Sequence, residues 1–181
     1  MGKTLSDFKE GDKLFSEFDG LTRELIIQYA NASGETNPIH TRDDVAEKMG
    51  LKGVVAHGLF SLGFIVKLLD ELVKDTGKIL KTFGEMRGKV RPGDKLITEL
   101  TVKSLEGNIV NFDVLQKTIT KIKIEKDGNL IESFEAEEKG WISEKDVSLN
   151  LVKSREIEGK GILSYRERPC IIGSASIQLN L

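Results

Sequence analysis

The chain contains only two histidines, His40 and His57. The first closes the run Tyr29-Ala30-Asn31-Ala32-Ser33-Gly34-Glu35-Thr36-Asn37-Pro38-Ile39-His40, and the second opens Val55-Ala56-His57-Gly58-Leu59-Phe60. In the first run a carboxylate, Glu35, precedes the His40 imidazole by five residues on a segment stiffened by proline. A carboxylate near a histidine sets its tautomer, raises its basicity and shares in moving a proton. In the second run Gly58 begins an apolar helix. Its N–H is unpaired within the helix and points outward at the positive end of the dipole, as a site for a carbonyl oxygen that gains charge requires. Glycine there lets a substrate approach the backbone closely.

Plainer roles exist for each residue. His40 could hydrogen-bond only to loop backbone, and Glu35 could be a solvated carboxylate. His57 reads first as a residue that packs or caps locally at the helix start, and Gly58 as a spacer for tight packing. Phe60 and Phe64 read as core before they read as lining of an acyl tunnel. Arg87, Lys89 and Arg91 could meet phosphates, but alternating surface charge on a strand is the simpler reading. Cys170, the one cysteine, has no partner motif and excludes an intrachain disulfide or a zinc site of several thiolates.

These residues need elements to hold them. Residues 12–18 read as a strand with Leu14, Ser16 and Phe18 on one face. Thr22 caps a helix to about Ser33, with Leu25, Ile26, Tyr29 and Ala30 as its apolar stripe and Gly34 as its stop. Residues 43–49 make two helical turns closed by Gly50. Residues 57–74 give the strongest helix, apolar nearly all round in its first three turns, which predicts a helix inside the fold. Leu59, Leu62, Val66 and Leu69 are its expected buried stripe. Strands follow at 79–90, 95–105, 109–126 and 130–142, read as an antiparallel meander with turns at Arg91-Pro92-Gly93-Asp94 and Asp127-Gly128. The layout is α+β: one sheet curled around one apolar helix, complete at about residue 142. Residues 143–181 fall outside that count as a C-terminal extension of unknown role, ending in an alternating strand from Ala175 to Leu181.

The 181 residues suffice for one domain with a core that needs no staple. With 27 basic and 29 acidic residues the formal charge is −2, which offers no field for wrapping nucleic acid. No apolar run of about 18 residues predicts a membrane span. Residues 1–11 lack the apolar core of a secretory signal, so the expected location is the cytoplasm.

On these motifs the sequence resembles the MaoC-like hot-dog family, which includes the (R)-specific enoyl-CoA hydratases. The family's signature runs from an aromatic residue to Ser/Thr-Gly-Asp-x-Asn-Pro-hydrophobic-His and, five residues on, Ala. Here it reads Tyr29, Ser33-Gly34-Glu35-Thr36-Asn37-Pro38-Ile39-His40, then Ala46. Val55 to Leu59 matches the later hydrophobic-x-His-Gly-hydrophobic block, and Val90 to Asp94 resembles a family turn. The resemblance spans about residues 4–142. It implies a hot-dog fold and hydration of a trans-2-enoyl thioester, or dehydration of the 3-hydroxyacyl thioester, with (R) stereochemistry. It implies catalytic roles for His40, for Glu35 in the place of the family's aspartate, and for the Gly58 N–H. Asn37 would orient the loop, and His57 and Phe60 would contact substrate. Glutamate is a departure: it reaches about 1.5 Å farther, and a misplacement of about 1 Å costs on the order of a hundredfold in rate. The alternatives are a thioesterase on the same fold and an acyl-thioester-binding subunit without activity. No metal or redox cofactor is expected; CoA or a carrier's pantetheine belongs to the substrate. An exposed strand edge predicts at least a homodimer.

Overall fold

The computed structural model describes residues 2–180. Strand β1 (Lys13–Phe18) leads to α1 (Arg23–Ser33), a 3-10 turn Pro38–His40, α2 (Asp43–Lys48) and α3 (Gly58–Val73). Then come β2 (Gly77–Met86), β3 (Lys95–Glu106), β4 (Ile109–Lys126), β5 (Asn129–Ser133), α4 (Glu135–Glu138), α5 (Glu144–Ser148), β6 (Val152–Ile157) and β7 (Gly161–Leu179). All strand pairs are antiparallel, in the order β1-β3-β4-β7-β2, with β5 added to β4 and β6 to β7.

Local chemistry explains the helix ends. The Thr22 hydroxyl accepts the Leu25 N–H at 3.3 Å, and Gly34 stops α1 at φ 71° with its N–H on Ala30 O. Strands β3 and β4 alternate residue by residue. Leu96, Leu100, Val102, Val110, Phe112 and Val114 point inward onto α3. Between the apolar ends of β4 lies a polar stretch of Gln116, Thr118 and Thr120, all buried. Gln116 Nε2 donates to Ser61 O and to Thr98 Oγ1, both at 3.0 Å, and so fixes the first turn of α3 to the sheet.

Three expectations are corrected. The buried stripe of α3 is Ser61, Ile65, Leu68, Leu69, Leu72 and Val73. Leu69 is fully buried, but Leu59 is 65% and Val66 39% exposed. A helix apolar on two stripes does not encode which stripe meets the sheet, and here the face is turned. The meander also fails at both ends: β2 sits at the far edge beside β7 instead of next to β3, and the strand read over 130–142 stops at Ser133, where α4 follows. Finally, the sheet is not complete at residue 142. Strand β7 lies between β4 and β2, with sixteen paired positions on β4. Ala175, Ile177 and Leu179 are buried on its inner face, as the alternating tail predicts; Leu181 lies outside the described residues. Long-range pairing placed this strand, and no local pattern announces its neighbours.

The turned face of α3 gives a direct test. Leu69→Ala is expected to lower unfolding free energy by about 2–5 kcal/mol, clearly more than Leu59→Ala does. Urea denaturation of both variants checks the assignment.

Candidate active site

The chain around His40 is held by an Asx turn. The Asn37 carboxamide accepts the Ile39 N–H at 3.3 Å, and Pro38 supplies the fixed φ of the 3-10 turn. The Asn37 N–H in turn donates to Glu35 Oε1 at 2.8 Å. That hydrogen bond is the main reason the Glu35 carboxyl lies below the usual glutamate range, with the Thr36 N–H, His40 and His57 acting in the same direction against some burial. Glu35 is therefore ionised at neutral pH.

His40 is anchored from the other side. Its Nδ1 lies 2.7 Å from Val55 O. A carbonyl oxygen only accepts, so Nδ1 carries the proton and the neutral ring keeps its lone pair at Nε2. The Val55 N–H also donates to Ile39 O at 3.3 Å. One residue thus fixes both the backbone and the tautomer of the histidine loop.

Gly58 is the first residue of α3. Its amide has no acceptor within the helix. Glu35, His40, His57 and Gly58 all line one cavity of about 350 Å³, together with Tyr29 and Thr36. The expected grouping of Glu35, His40 and Gly58 around one space is what the fold produces. The expected dryness is not: Glu35 and Gly58 are exposed in the single chain, and His40 is half-buried.

His57 keeps the packing half of its plainer reading but not the capping half. It occupies the N-cap position of α3 but makes no side-chain capping bond. Its ring is 5% exposed and stacks on His40 at 3.8 Å, with the Tyr29 ring at 4.9 Å. Neither ring nitrogen has a hydrogen-bond partner among the described residues. Burial first, and the neighbouring His40 second, hold its pKa below the ordinary value, outweighing Glu35. Phe60 does not reach the cavity lining; its ring packs 5.2 Å from Tyr29 and 5.3 Å from Phe64, at the margin of the core. Asn37 acts on the loop, through the two bonds described above.

Sequence reasoning missed Arg91. It is 4% exposed rather than part of a charged strand surface. Its guanidinium donates to Gly53 O and Val54 O at 3.2 and 3.4 Å and to Leu51 O, and it stacks over Trp141 at 4.4 Å. It thereby sets the path of residues 51–54 into Val55 and Gly58. The Arg91-Pro92-Gly93-Asp94 turn was the available signal, since buried Asp94 closes that turn on the Arg91 N–H at 2.9 Å.

The profile of the MaoC-like domain matches residues 11–126. The (R)-specific enoyl-CoA hydratase of Rhodospirillum rubrum is 31% identical over 133 residues, covering 69% of this chain and 88% of that protein. The peroxisomal enoyl-CoA hydratase 2 of Arabidopsis thaliana is 36% identical over 75 residues, 40% of this chain and 24% of that one. The unliganded R-hydratase of Pseudomonas aeruginosa superposes with a TM-score of 0.64 at 17% identity, over 99% of this chain and 86% of its own. The R-hydratase of A. caviae gives 0.62 at 14%, over 95% and 97%. The two superpositions establish the shared hot-dog fold.

An NMR titration is expected to find the His57 ring changing charge below the ordinary 6.5. The unfolded chain then binds the extra proton first, so stability falls as pH drops below 6.5. Replacement by glutamine should flatten that part of the stability profile.

Proposed function

The chain belongs to the MaoC-like domain family, and from that premise we propose that it is an (R)-specific hydratase of trans-2-enoyl thioesters, working reversibly as a 3-hydroxyacyl thioester dehydratase. The observation that carries this reading is the convergence of Glu35, the free Nε2 of His40 and the first amide of α3 on one cavity. The 31% identity to the Rhodospirillum rubrum enzyme over most of both chains supports the same substrate class.

In the proposed reaction a water molecule sits between Glu35 and His40. Its oxygen forms the bond to C3 of the enoyl group while the pair takes one proton. The pair then returns a proton to C2, so the elements of water are added and nothing is oxidised. During attack, negative charge moves to the thioester oxygen, where the Gly58 N–H and the positive end of α3 stabilise it. His40 suits the basic role because the Val55 carbonyl leaves its lone pair on the cavity side of the tautomer. Ionised Glu35 stabilises the imidazolium as it forms. The scheme needs no metal or redox cofactor; CoA or a carrier's pantetheine arrives as part of the substrate. Within the described residues no helix is long and apolar enough to cross a membrane.

The reading includes a homodimer. Strand β2 pairs with β7 on one side and leaves its other edge free. Leu80, Phe83 and Met86 on that strand are each about half exposed, as are Leu59 and Val66 on α3. A second copy placed along β2 would cover this apolar surface and close the open side of the cavity.

His40→Ala and Glu35→Gln should each lower kcat for enoyl-CoA hydration by roughly a hundredfold or more, without loss of the folded circular dichroism spectrum. Glu35→Asp should retain or raise hydration. Unchanged hydration in His40→Ala would remove the pair from the mechanism, and thiol release from saturated acyl-CoA would point to hydrolysis. In sedimentation the protein should run at twice the 20.1 kDa chain mass; a stable monomer would contradict the interface.

A further inference from the structure

Beyond residue 126 the chain leaves the stretch matched by the family profile, and residues 127–160 form an excursion between β4 and β7. Its α4–α5 segment is fastened to the loops that lead into the active site. Trp141 Nε1 donates to Lys52 O and Lys52 Nζ donates to Gly140 O, both at 2.7 Å. The Trp141 ring lies under Arg91. This docking borders an open cavity of about 400 Å³ whose wall carries Lys52, Lys89, Arg91, Lys145 and Arg168. Asp146 is the only carboxylate in that wall. It is already engaged, by the Ser143 hydroxyl at 2.7 Å, the Ser143 N–H at 2.8 Å and buried Arg166 at 3.5 Å.

None of the five cations has an ion-pair partner among the described residues. Lys52 and Arg91 donate to backbone carbonyls only. Arg168 Nη2 donates to Lys89 O at 3.1 Å, and its Nε is buried without a partner. Burial and mutual repulsion both disfavour the charged forms here. Burial, with Arg166 and Arg168 adding to it, pushes Arg91 down to about 10 against the pull of Asp94. Burial first, and then Arg91, Arg168, Arg166 and Lys52, lowers Lys89. In a chain of net charge −2 this is a local excess of positive charge turned toward a cavity.

A second observation ties that cavity to the active site. A groove of about 350 Å³ runs between them, lined by Gly58 at one end and Lys89 at the other, with Ala56, Met86, Gly88 and Val90 along it. Gly58 also lines the catalytic cavity and Lys89 also lines the basic one. Arg87, paired with Glu85, also lines the groove; apart from it and Lys89 the walls are mostly apolar or backbone, which suits an uncharged arm. We propose that the basic cavity built by residues 140–151 binds phosphate ester groups at the far end of the substrate's pantetheine arm, the arm itself lying in the groove between Gly58 and Lys89. This rests on the thioester reading above. Phosphate fits better than a carboxylate ligand, because the diphosphate and 3′-phosphate of CoA together offer several charged oxygens to arginine forks and lysine ammoniums arranged around them.

The test uses the intact protein and two exposed lysines, in the double variant Lys89→Gln/Lys145→Gln. Calorimetry should find adenosine 3′,5′-bisphosphate binding to wild type, weakening as salt rises and weakening roughly tenfold or more in the variant. In kinetics, wild type should favour an enoyl-CoA over the matching enoyl-pantetheine in kcat/KM, and the variant should lose most of that preference. Inorganic phosphate binding as tightly as the bisphosphate would identify a carrier protein's phosphopantetheine as the source; tighter bisphosphate binding would identify CoA. No binding of either anion, with the CoA preference unchanged in the variant, would overturn the proposal. Bisphosphate binding without turnover of any enoyl thioester would instead sustain the site and defeat the hydratase reading.

Discussion

The site depends on one short stretch of backbone, Val55–Ala56. The Val55 N–H holds Ile39 O, its carbonyl takes the His40 Nδ1 proton, and the Ala56 N–H donates to Val90 O at 2.7 Å. The histidine loop, the start of α3 and the segment after β2 therefore meet on two consecutive residues. Each bond is backbone or imidazole to backbone, so the geometry varies little with side-chain motion. Removing any of them would leave a buried or half-buried polar group unpaired, at a cost of about 1–3 kcal/mol. The histidine tautomer, the placement of the Gly58 amide and the floor of the groove toward Lys89 all follow from this one junction.

The junction is braced from below by buried polar chemistry. Arg91 fixes the carbonyls that precede Val55, and Asp94 fixes the Arg91 turn while accepting from Thr120 Oγ1 at 2.6 Å. Burial raises the Asp94 carboxyl to about 6, against the hydrogen bonds from Thr120 and Arg91. Arg166 reaches the same Thr120 hydroxyl at 3.2 Å and Trp141 O at 3.1 Å. A network of this kind adds little net stability, because desolvation offsets much of its attraction. Its effect is positional: it couples the turn after β2, the middle of β4 and β7, and the excursion that carries Trp141. The polar interruption of β4 thus lies beneath the start of α3, where the chemistry is, while the apolar ends of the strand carry the core.

The excursion at residues 127–160 gives this chain a wall that the matched family stretch lacks. It contributes no residue to the lining of the catalytic cavity, and it adds Lys145 to the cations that Lys52, Lys89, Arg91 and Arg168 already place beyond the groove. The other open side, along β2 and the outer face of α3, exposes Leu59, Val66, Leu80, Phe83 and Met86 among charged side chains of both signs. In the proposed reading the basic flank takes the substrate's charged end, and the apolar side chains along β2 take a second copy of the chain.

Much of the site was legible in the sequence, because its parts are local. Asn37-Pro38 makes a turn by its own dihedrals and side chain, Thr22 and Gly34 bound α1 by capping, and Gly58 marks a helix start. The grouping of Glu35, His40 and Gly58 followed from motif resemblance, and the strand alternation in β1, β3, β4 and the tail from period two. Tertiary structure alone decided the rest. Which face of α3 is buried was undetermined, since two apolar stripes satisfy the same hydrophobic effect until a particular sheet covers one of them. The place of β7 between β4 and β2 depends on backbone pairing across more than forty residues, and hydrogen bonds between strands carry no signal in their side chains. The burial of Arg91 is likewise non-local: a guanidinium reads as surface until three carbonyls and an indole, from segments far apart in the chain, are assembled around it.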